Sequence, residues 1–241
     1  MSRRLFLAGA SGAIGRPLVP LLLADGWIVT GTTRSREKAE TLARAGIEPV
    51  VVDVFDAGKL RDAVAGARPS VVIHQLTDLP PGLDPSRMAE ARIRNAHLRE
   101  EGTRNLVAAA IEAGVLRLVA QSVAFVYAAG PTPHGEEDPL DVADEGPAGI
   151  SVRGVASLER QVIEAPLEGL VLRYGRLYGP GTGVTAVAGP GPLHVDDAAE
   201  AARIAASRGA PGIYNIAEDD GAVALDKARR LLGWSPKHKY R

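Results

Sequence analysis

Three glycines at a fixed spacing constrain this chain more than any other feature. The apolar run Leu5-Phe6-Leu7-Ala8 feeds directly into Gly9-Ala10-Ser11-Gly12-Ala13-Ile14-Gly15, and an amphipathic stretch over 17–25 follows. An apolar run, a turn without bulky side chains and an amphipathic segment together read as strand, turn and helix. Glycine lets such a turn close tightly and brings the backbone near a ligand. The first turn of the helix then offers N–H groups that no helical carbonyl can take up. The unit predicts a dinucleotide pyrophosphate resting on Gly9, Ser11, Gly12, Ala13, Ile14 and Gly15.

The pattern that opens at residue 5 repeats. Strands are expected over 27–33, 47–53, 70–76, 116–121 and 170–173. Helices are expected from the Ser35 cap through Ala43, then over 57–65, 86–113 and 151–164. The nearly continuous apolar run over 70–76 suits a strand buried on both faces of a parallel sheet. Alternating units of this kind predict an α/β fold, a Rossmann-like doubly wound parallel sheet with right-handed crossovers. The segment 128–149, rich in Pro, Gly and acid, is expected to cover the mouth of a site.

After Tyr178 the texture changes. Gly179-Pro-Gly-Thr-Gly183 and Gly189-Pro-Gly-Pro192 frame a short stretch with little capacity for a core. A helix starting at Asp196-Asp197, a strand over 212–216 and a final helix over 223–232 follow, and Lys237-His-Lys-Tyr-Arg241 reads as a solvated basic tail. The expected organisation is an NAD(P)-binding domain over 1–178 and a reduced C-terminal lobe over 179–241, packed together as one unit.

Composition narrows the function classes. The chain has no cysteine, which excludes disulfides and thiolate chemistry, and its five histidines show no metal-site spacing, so no metal is expected. A net charge of -1 gives no field that favours nucleic acid or an anionic membrane. No apolar run approaches the roughly 20 residues of a membrane span. Arg3-Arg4 precede an apolar run too short for an export signal. A cytoplasmic protein acting on a small molecule is the expectation.

Several later motifs fall in one order. They are Asp53-Val54, Val72-Ile-His-Gln-Leu-Thr77, Gly102-Thr-Arg-Asn-Leu106, Leu172-Arg-Tyr-Gly-Arg-Leu-Tyr-Gly-Pro180, His194-Val-Asp-Asp197, Tyr214-Asn-Ile216 and Leu232-Gly-Trp-Ser-Pro236. With the glycine turn, this series resembles the extended short-chain dehydrogenase/reductase family of nucleotide-sugar epimerases and dehydratases over nearly the whole length. The resemblance implies that Asp53 and Val54 contact the adenine and that Gln75, Leu76 and Thr77 run under the cofactor. It also implies that the helices over 86–113 and 151–164 form a homodimer. Tyr174 and Leu177 are expected to bind the cofactor, and Tyr174 and Tyr178, after the sixth strand, read either as lining the nicotinamide side or as wall residues with no chemical role.

Charge bears on which cofactor. Selectivity for NAD normally needs a carboxylate at the end of the second strand. That region reads Thr32-Thr-Arg34-Ser-Arg36, with no acid until Glu37. Two guanidiniums there suit the 2′-phosphate of NADP, and NADP(H) is favoured with NAD as the alternative. The competing reading leaves Arg34 and Arg36 as solvated charges at a helix start.

The chemistry departs from the resemblance. The family carries a Tyr-x-x-x-Lys pair on one helix, and no such spacing occurs anywhere in this chain. Alignment on Glu159 places Ser151 and Val155 at those two positions. Val123 stands where the family's active Ser or Thr belongs, with Ser122 one place earlier, and Arg99 replaces its Asn. Only 11 residues, 183–193, span the usual substrate insertion. Ser122 and Tyr127, at the C-terminal end of the fifth strand, remain as the candidate catalytic residues. His74 reads either as a base or as a strand-end residue satisfied by backbone, Arg153 either as a binder of an anionic substrate or as a solvated helix charge, and His194 as a structural residue packed ahead of the Asp196-Asp197 helix cap. Two functions stay open: an oxidoreductase acting on a small carbonyl or hydroxyl substrate by a non-standard proton relay, or a non-redox protein on the same scaffold, such as an NADP(H)-binding regulator, isomerase or cyclase.

Overall fold

The computed structural model describes residues 3–240. In chain order it runs β1 (Arg4–Ala8), α1 (Gly15–Ala24), β2 (Ile28–Thr33), α2 (Arg36–Arg44), β3 (Glu48–Val51), α3 (Ala57–Ala67), β4 (Val71–His74), α4 (Met88–His97), α5 (Thr103–Glu112), β5 (Arg117–Val123), α6 (Pro147–Glu164), β6 (Glu168–Tyr174), β7 (Arg176–Tyr178), β8 (Pro192–His194), α7 (Val195–Ala205) and β9 (Gly212–Ile216). Seven strands form one parallel sheet in the order β3-β2-β1-β4-β5-β6-β9, and β7 pairs with β8 in a two-stranded ribbon. This is the doubly wound Rossmann-like sheet expected from the alternation. Strand order reverses between β1 and β4, and ligands of such sheets bind at the carboxyl ends of the strands beside that switch.

Alternation along each strand builds two cores. Leu5, Leu7, Ile73, Val119 and Leu172 face α1 and α7, while Phe6, Ala8, Val72, Leu118 and Val171 face α3, α5 and α6. The segment after Tyr178 contributes to the first core directly: β9 pairs with β6, α7 packs on α1, and Trp234 is fully buried.

Where the structure departs from the sequence expectations, packing is the reason. The single helix expected over 86–113 is two helices joined by a π-helical turn, Leu98–Gly102. One extra residue in that turn rotates the helix face, so α4 packs against α6 and α5 against α3. It also turns Arg99 inward, where the side chain is buried. Helix α6 begins at Pro147, four residues earlier than expected, because proline is pre-set for the first helical position. The final helix is reduced to a π turn at Ala228–Leu232, since Val223 is drawn into a bridge with His134. His194, and not an aspartate, caps α7.

The basic tail keeps its side chains exposed over 237–240, as expected, but its backbone is docked. Asp197, buried at the start of α7, accepts the backbone N–H groups of Lys237 (3.0 Å) and His238 (2.9 Å), and the Tyr240 hydroxyl accepts the N–H of Val187 at 2.8 Å. Among the described residues no helix is long and apolar enough to cross a membrane.

Candidate functional site

The turn after β1 is built for close approach of backbone. Gly9 has φ +93, and a Cβ there would lie 2.6 Å from the Gln75 carbonyl oxygen; one on Gly15 would lie 2.3 Å from the carbonyl oxygen of Gly9. No larger residue fits either position without moving main chain. The Gly9 N–H donates to Thr32 Oγ1 at 3.2 Å and the Gly12 N–H to Gly9 O at 3.0 Å, which sets the turn's shape. Among the described residues the N–H groups of Ser11, Ala13 and Ile14 have no backbone acceptor, and no side chain caps α1. Free donors at a helix N-terminus, with glycine on either side, fit a pyrophosphate.

The other cofactor candidates surround this turn. Arg34 and Arg36 are both exposed beyond β2, where Ser35 caps α2 by accepting the Lys38 N–H. Arg34 stands 3.7 Å from Asp78, which also pairs with Arg94 at 3.2 Å. Asp53 is exposed, one carboxylate oxygen accepting the Phe55 N–H at 3.0 Å, and Val54 is buried against Gly102. At the end of β4, Gln75 is buried, Leu76 half-buried and Thr77 exposed. Gln75 Nε2 donates to the hydroxyl of buried Tyr174 at 3.2 Å, and burial pushes the Tyr174 phenol far up. Leu177 is half-buried in β7. The chain beyond β7 crosses to the start of α1, where Arg16 donates to the Gly181 carbonyl at 3.2 Å.

The residues expected to move protons close on one another. Register aligns Ser122 of β5, Arg173 of β6 and Asn215 of β9 in one row on the α6 face of the sheet. Above that row lies Glu159, 4% exposed, held by Arg173 through Nε to Oε1 (2.9 Å) and Nη2 to Oε2 (2.7 Å). The Ser122 hydroxyl, 1% exposed, donates to Glu159 Oε1 at 2.6 Å. Tyr127 donates to Asn215 Oδ1 at 2.6 Å and accepts from Arg173 Nη1 at 2.9 Å. Burial opposes the charge on Arg173, but its bidentate bond to Glu159 holds the guanidinium above its usual range. The Tyr127 phenol is pushed up, first by burial and against the pull of Arg173. Arg99 is lowered to about 10 by burial, with Glu159 partly offsetting this, and it donates to the Ser151 carbonyl. The structure therefore gives both candidate catalytic hydroxyls to internal partners.

The remaining candidates resolve by their partners. His74 is buried, its Nδ1 accepting the Leu76 N–H (3.2 Å), so Nε2 carries the proton and donates to Thr103 Oγ1 at 3.1 Å. Burial, reinforced by nearby Arg99, lowers it to about 4, which makes it a neutral structural residue. Arg153 donates to the Asp144 carbonyl at 2.8 Å, and the Tyr178 hydroxyl to Glu218 at 2.6 Å. The fold also gathers His194, Asp196 and His238, which no spacing in the sequence announced. The two imidazole rings stack at 3.8 Å, so their in-plane lone pairs run side by side and do not converge on an ion. The Asp196 N–H already occupies His194 Nδ1.

Sequence reasoning used Glu159 only as an alignment mark and gave neither it nor Arg173 a role in the site. The available signal was a charge inside the apolar run Leu170-Val-Leu-Arg173-Tyr174, which a buried strand tolerates only with a partner.

A doubly wound sheet with a glycine cradle at its switch point defines a nucleotide-binding α/β protein. A family model described as NAD(P)H-binding matches residues 9–207, and the chain belongs to that family. A curated Streptomyces protein, 3-diazoavenalumate denitrifying reductase, is 43% identical over 97% of this chain and 83% of its own length. The aligned span of 264 positions exceeds the 241 residues here, so that relative carries segments this chain lacks. Among solved structures, the fold is similar to UDP-glucose 4-epimerase from the hyperthermophilic eubacterium Thermotoga maritima, solved with UDP-glucose. Its TM-score is 0.80 at 20% identity, covering 98% of this chain and 94% of that one. The Bordetella bronchiseptica enzyme WbmG in complex with NAD gives a TM-score of 0.72 at 20% identity, covering 100% and 91%. The fold is thus that of the short-chain dehydrogenase/reductase epimerases, as the motif order implied.

Proposed function

We propose that this protein is a cytoplasmic NADP(H)-dependent reductase that replaces an aryl diazo group by hydrogen. The observation that carries the reading is the likeness to the denitrifying reductase, 43% identical across 97% of this chain. The missing Tyr-x-x-x-Lys pair supports it independently. Reduction of a carbonyl leaves an alkoxide that a positioned acid must protonate. An arenediazonium needs no such acid: ArN2+ + NAD(P)H gives ArH + N2 + NAD(P)+. The C–N bond breaks with its pair departing on N2, and the hydride supplies the pair of the new C–H bond.

When bound, the reduced nicotinamide supplies that hydride. The chain's own work is then to hold and shield. The cradle of Gly9, Ser11, Gly12, Ala13, Ile14 and Gly15 takes the pyrophosphate. Arg34 and Arg36 take the 2′-phosphate, and Asp53 with Val54 lies toward the adenine. Gln75, Leu76, Thr77, Tyr174 and Leu177 form the floor beneath the reacting ring. Ser122 and Tyr127 act by fixing the ends of β5, β6 and β9, through Glu159 and Asn215, and no proton passes through them. The homodimer implied by the family resemblance belongs to the same reading.

The test is turnover of para-carboxybenzenediazonium with NADPH deuterated at the transferring carbon, followed by N2 release and mass of the arene against an enzyme-free control. One deuterium in the product at the former C–N carbon is expected, with NADPH favoured over NADH. Replacing Arg34 and Arg36 by Ser should reduce that preference by on the order of tenfold, the scale of a charge-assisted hydrogen bond. Absence of enzyme-dependent N2 release overturns the reading.

A further inference from the structure

Arg176 is a half-buried arginine whose Nε is shut off from water without gaining a partner. Among the described residues its side chain has no ion pair and no hydrogen bond, and its Nε is buried without a partner. Its neighbours in type are all satisfied: Arg173 grips Glu159, Arg117 grips Glu168, and Arg99 donates to Ser151 O. The nearby acids are engaged elsewhere. Asp220 accepts the N–H groups of Gly191 (2.7 Å) and Ala222 (3.0 Å), while Glu218 accepts the Tyr178 hydroxyl. Burial alone pulls the Arg176 guanidinium below its usual range. A polar group desolvated without a partner costs stability, and folded proteins keep such groups where function uses them.

Its surroundings say what that use is. The guanidinium lies 4.4 Å from the ring centroid of Phe125, itself 42% exposed. Phe125 stands two residues past the end of β5 and Arg176 two past the end of β6. The strands are neighbours, joined there by the Ala124 N–H to the Tyr174 carbonyl at 2.8 Å. Both therefore sit on the carboxyl edge of the sheet, where open α/β sheets bind ligands. Gly189 presses on the guanidinium from above: a Cβ there would lie 3.1 Å from Nε. The strand that carries Arg176 continues into the Gly179–Gly183 segment, which touches Arg16 at the start of α1.

We propose that Arg176 is the carboxylate-binding residue of the substrate site, and that the substrate is accordingly an aromatic carboxylate whose ring lies along Phe125. A planar guanidinium fork matches a carboxylate bidentately, and a face-exposed phenylalanine both orients the fork and offers a stacking surface. The inference rests on the reductase reading for the identity of the reaction, but binding tests it without turnover.

The experiment compares cinnamate with cinnamamide binding to the NADP-loaded protein by calorimetry, in wild type, Arg176→Met and Arg176→Lys. Wild type should favour cinnamate by at least about tenfold, the scale of a bond to a charged group. Arg176→Met should erase that preference while leaving cinnamamide and NADPH affinities unchanged, and Arg176→Lys should keep part of it. A thermal melt checks folding: removing a half-buried side chain whose Nε is unpaired should leave the midpoint unchanged or raised. A second arm compares turnover of para-carboxy- and para-carbamoylbenzenediazonium, where Arg176→Met should raise KM for the first only. No wild-type preference for cinnamate, or equal weakening of both ligands by Arg176→Met, overturns the inference. A cinnamate preference that Arg176→Met erases, without N2 release from either diazonium, sinks the reductase reading and leaves Arg176 standing.

Discussion

The two halves of the sheet's carboxyl edge treat polar groups in opposite ways. Around β1, β2 and β4 the N–H groups of Ser11, Ala13 and Ile14 and the guanidinium of Arg36 are left without partners among the described residues. Around β5, β6 and β9 nearly every polar group closes on another, from Ser122 to Glu159 to Arg173 to Tyr127 to Asn215. An open set of donors is an arrangement for a ligand; a closed one is an arrangement for rigidity. Family resemblance places cofactor chemistry at the first half and proton transfer at the second. In this chain the first half stays open, while the hydroxyls of the second, Ser122 and Tyr127, donate to Glu159 and Asn215. Arg176 breaks the rule for its half, which is why it stands out.

The comparison breaks most visibly at Glu159. Glu159→Gln leaves Arg173 buried beside a neutral amide, and the stability lost should be about 3–5 kcal/mol by urea unfolding, with nucleotide affinity unchanged. Weaker NADPH binding in a folded variant would show that the closed half reaches the cofactor. The next effect concerns His74, buried neutral at the β4 end. Its pKa falls from 6.5 unfolded to about 4 folded, so the unfolded chain binds the extra proton. Stability contributed by the neutral ring is fully present above about pH 6.5 and is lost as pH falls toward 4, by roughly 3 kcal/mol. In His74→Asn that slope should flatten, as followed by unfolding at stepped pH; an unchanged slope assigns it to other groups. The smallest effect is the most diagnostic. Ser122→Ala should cost about 1 kcal/mol of stability and leave turnover per folded molecule unchanged. A loss near 100-fold would instead make the hydroxyl a donor to the reacting atoms.

Much of the fold was legible because it rests on short-range pattern. Strand alternation, the Gly9–Gly15 turn and the Ser35 cap each act within a few residues, and all appear where the sequence places them. The π turn at Leu98–Gly102 was not legible, since its cause is the separate packing of α4 on α6 and α5 on α3. Nor was the docked tail, whose partner Asp197 lies some 40 residues away by chain. At the candidate site, the residues named from the sequence lie on the glycine turn and around the carboxyl ends of the strands. What the sequence could not assign was the direction of the Ser122 hydroxyl, which depends on which strand face meets α6. Arg176 escaped notice for the same reason: an arginine in a turn-rich stretch looks solvated until the fold buries its Nε.

The position of β9 has a consequence for how the chain matures. Synthesis delivers β6 long before β9, and over that interval β6 is an edge strand with open N–H and C=O groups. Arg173 has its partner Glu159 in the preceding α6, but the loop over it is held by Asn215, whose N–H donates to Glu136 Oε1 and whose Nδ2 donates to the His134 carbonyl. Closing the sheet and fastening that loop are then a single late event. A ribosome-bound chain arrested before residue 212 should carry a formed nucleotide cradle beside an unfinished, association-prone edge.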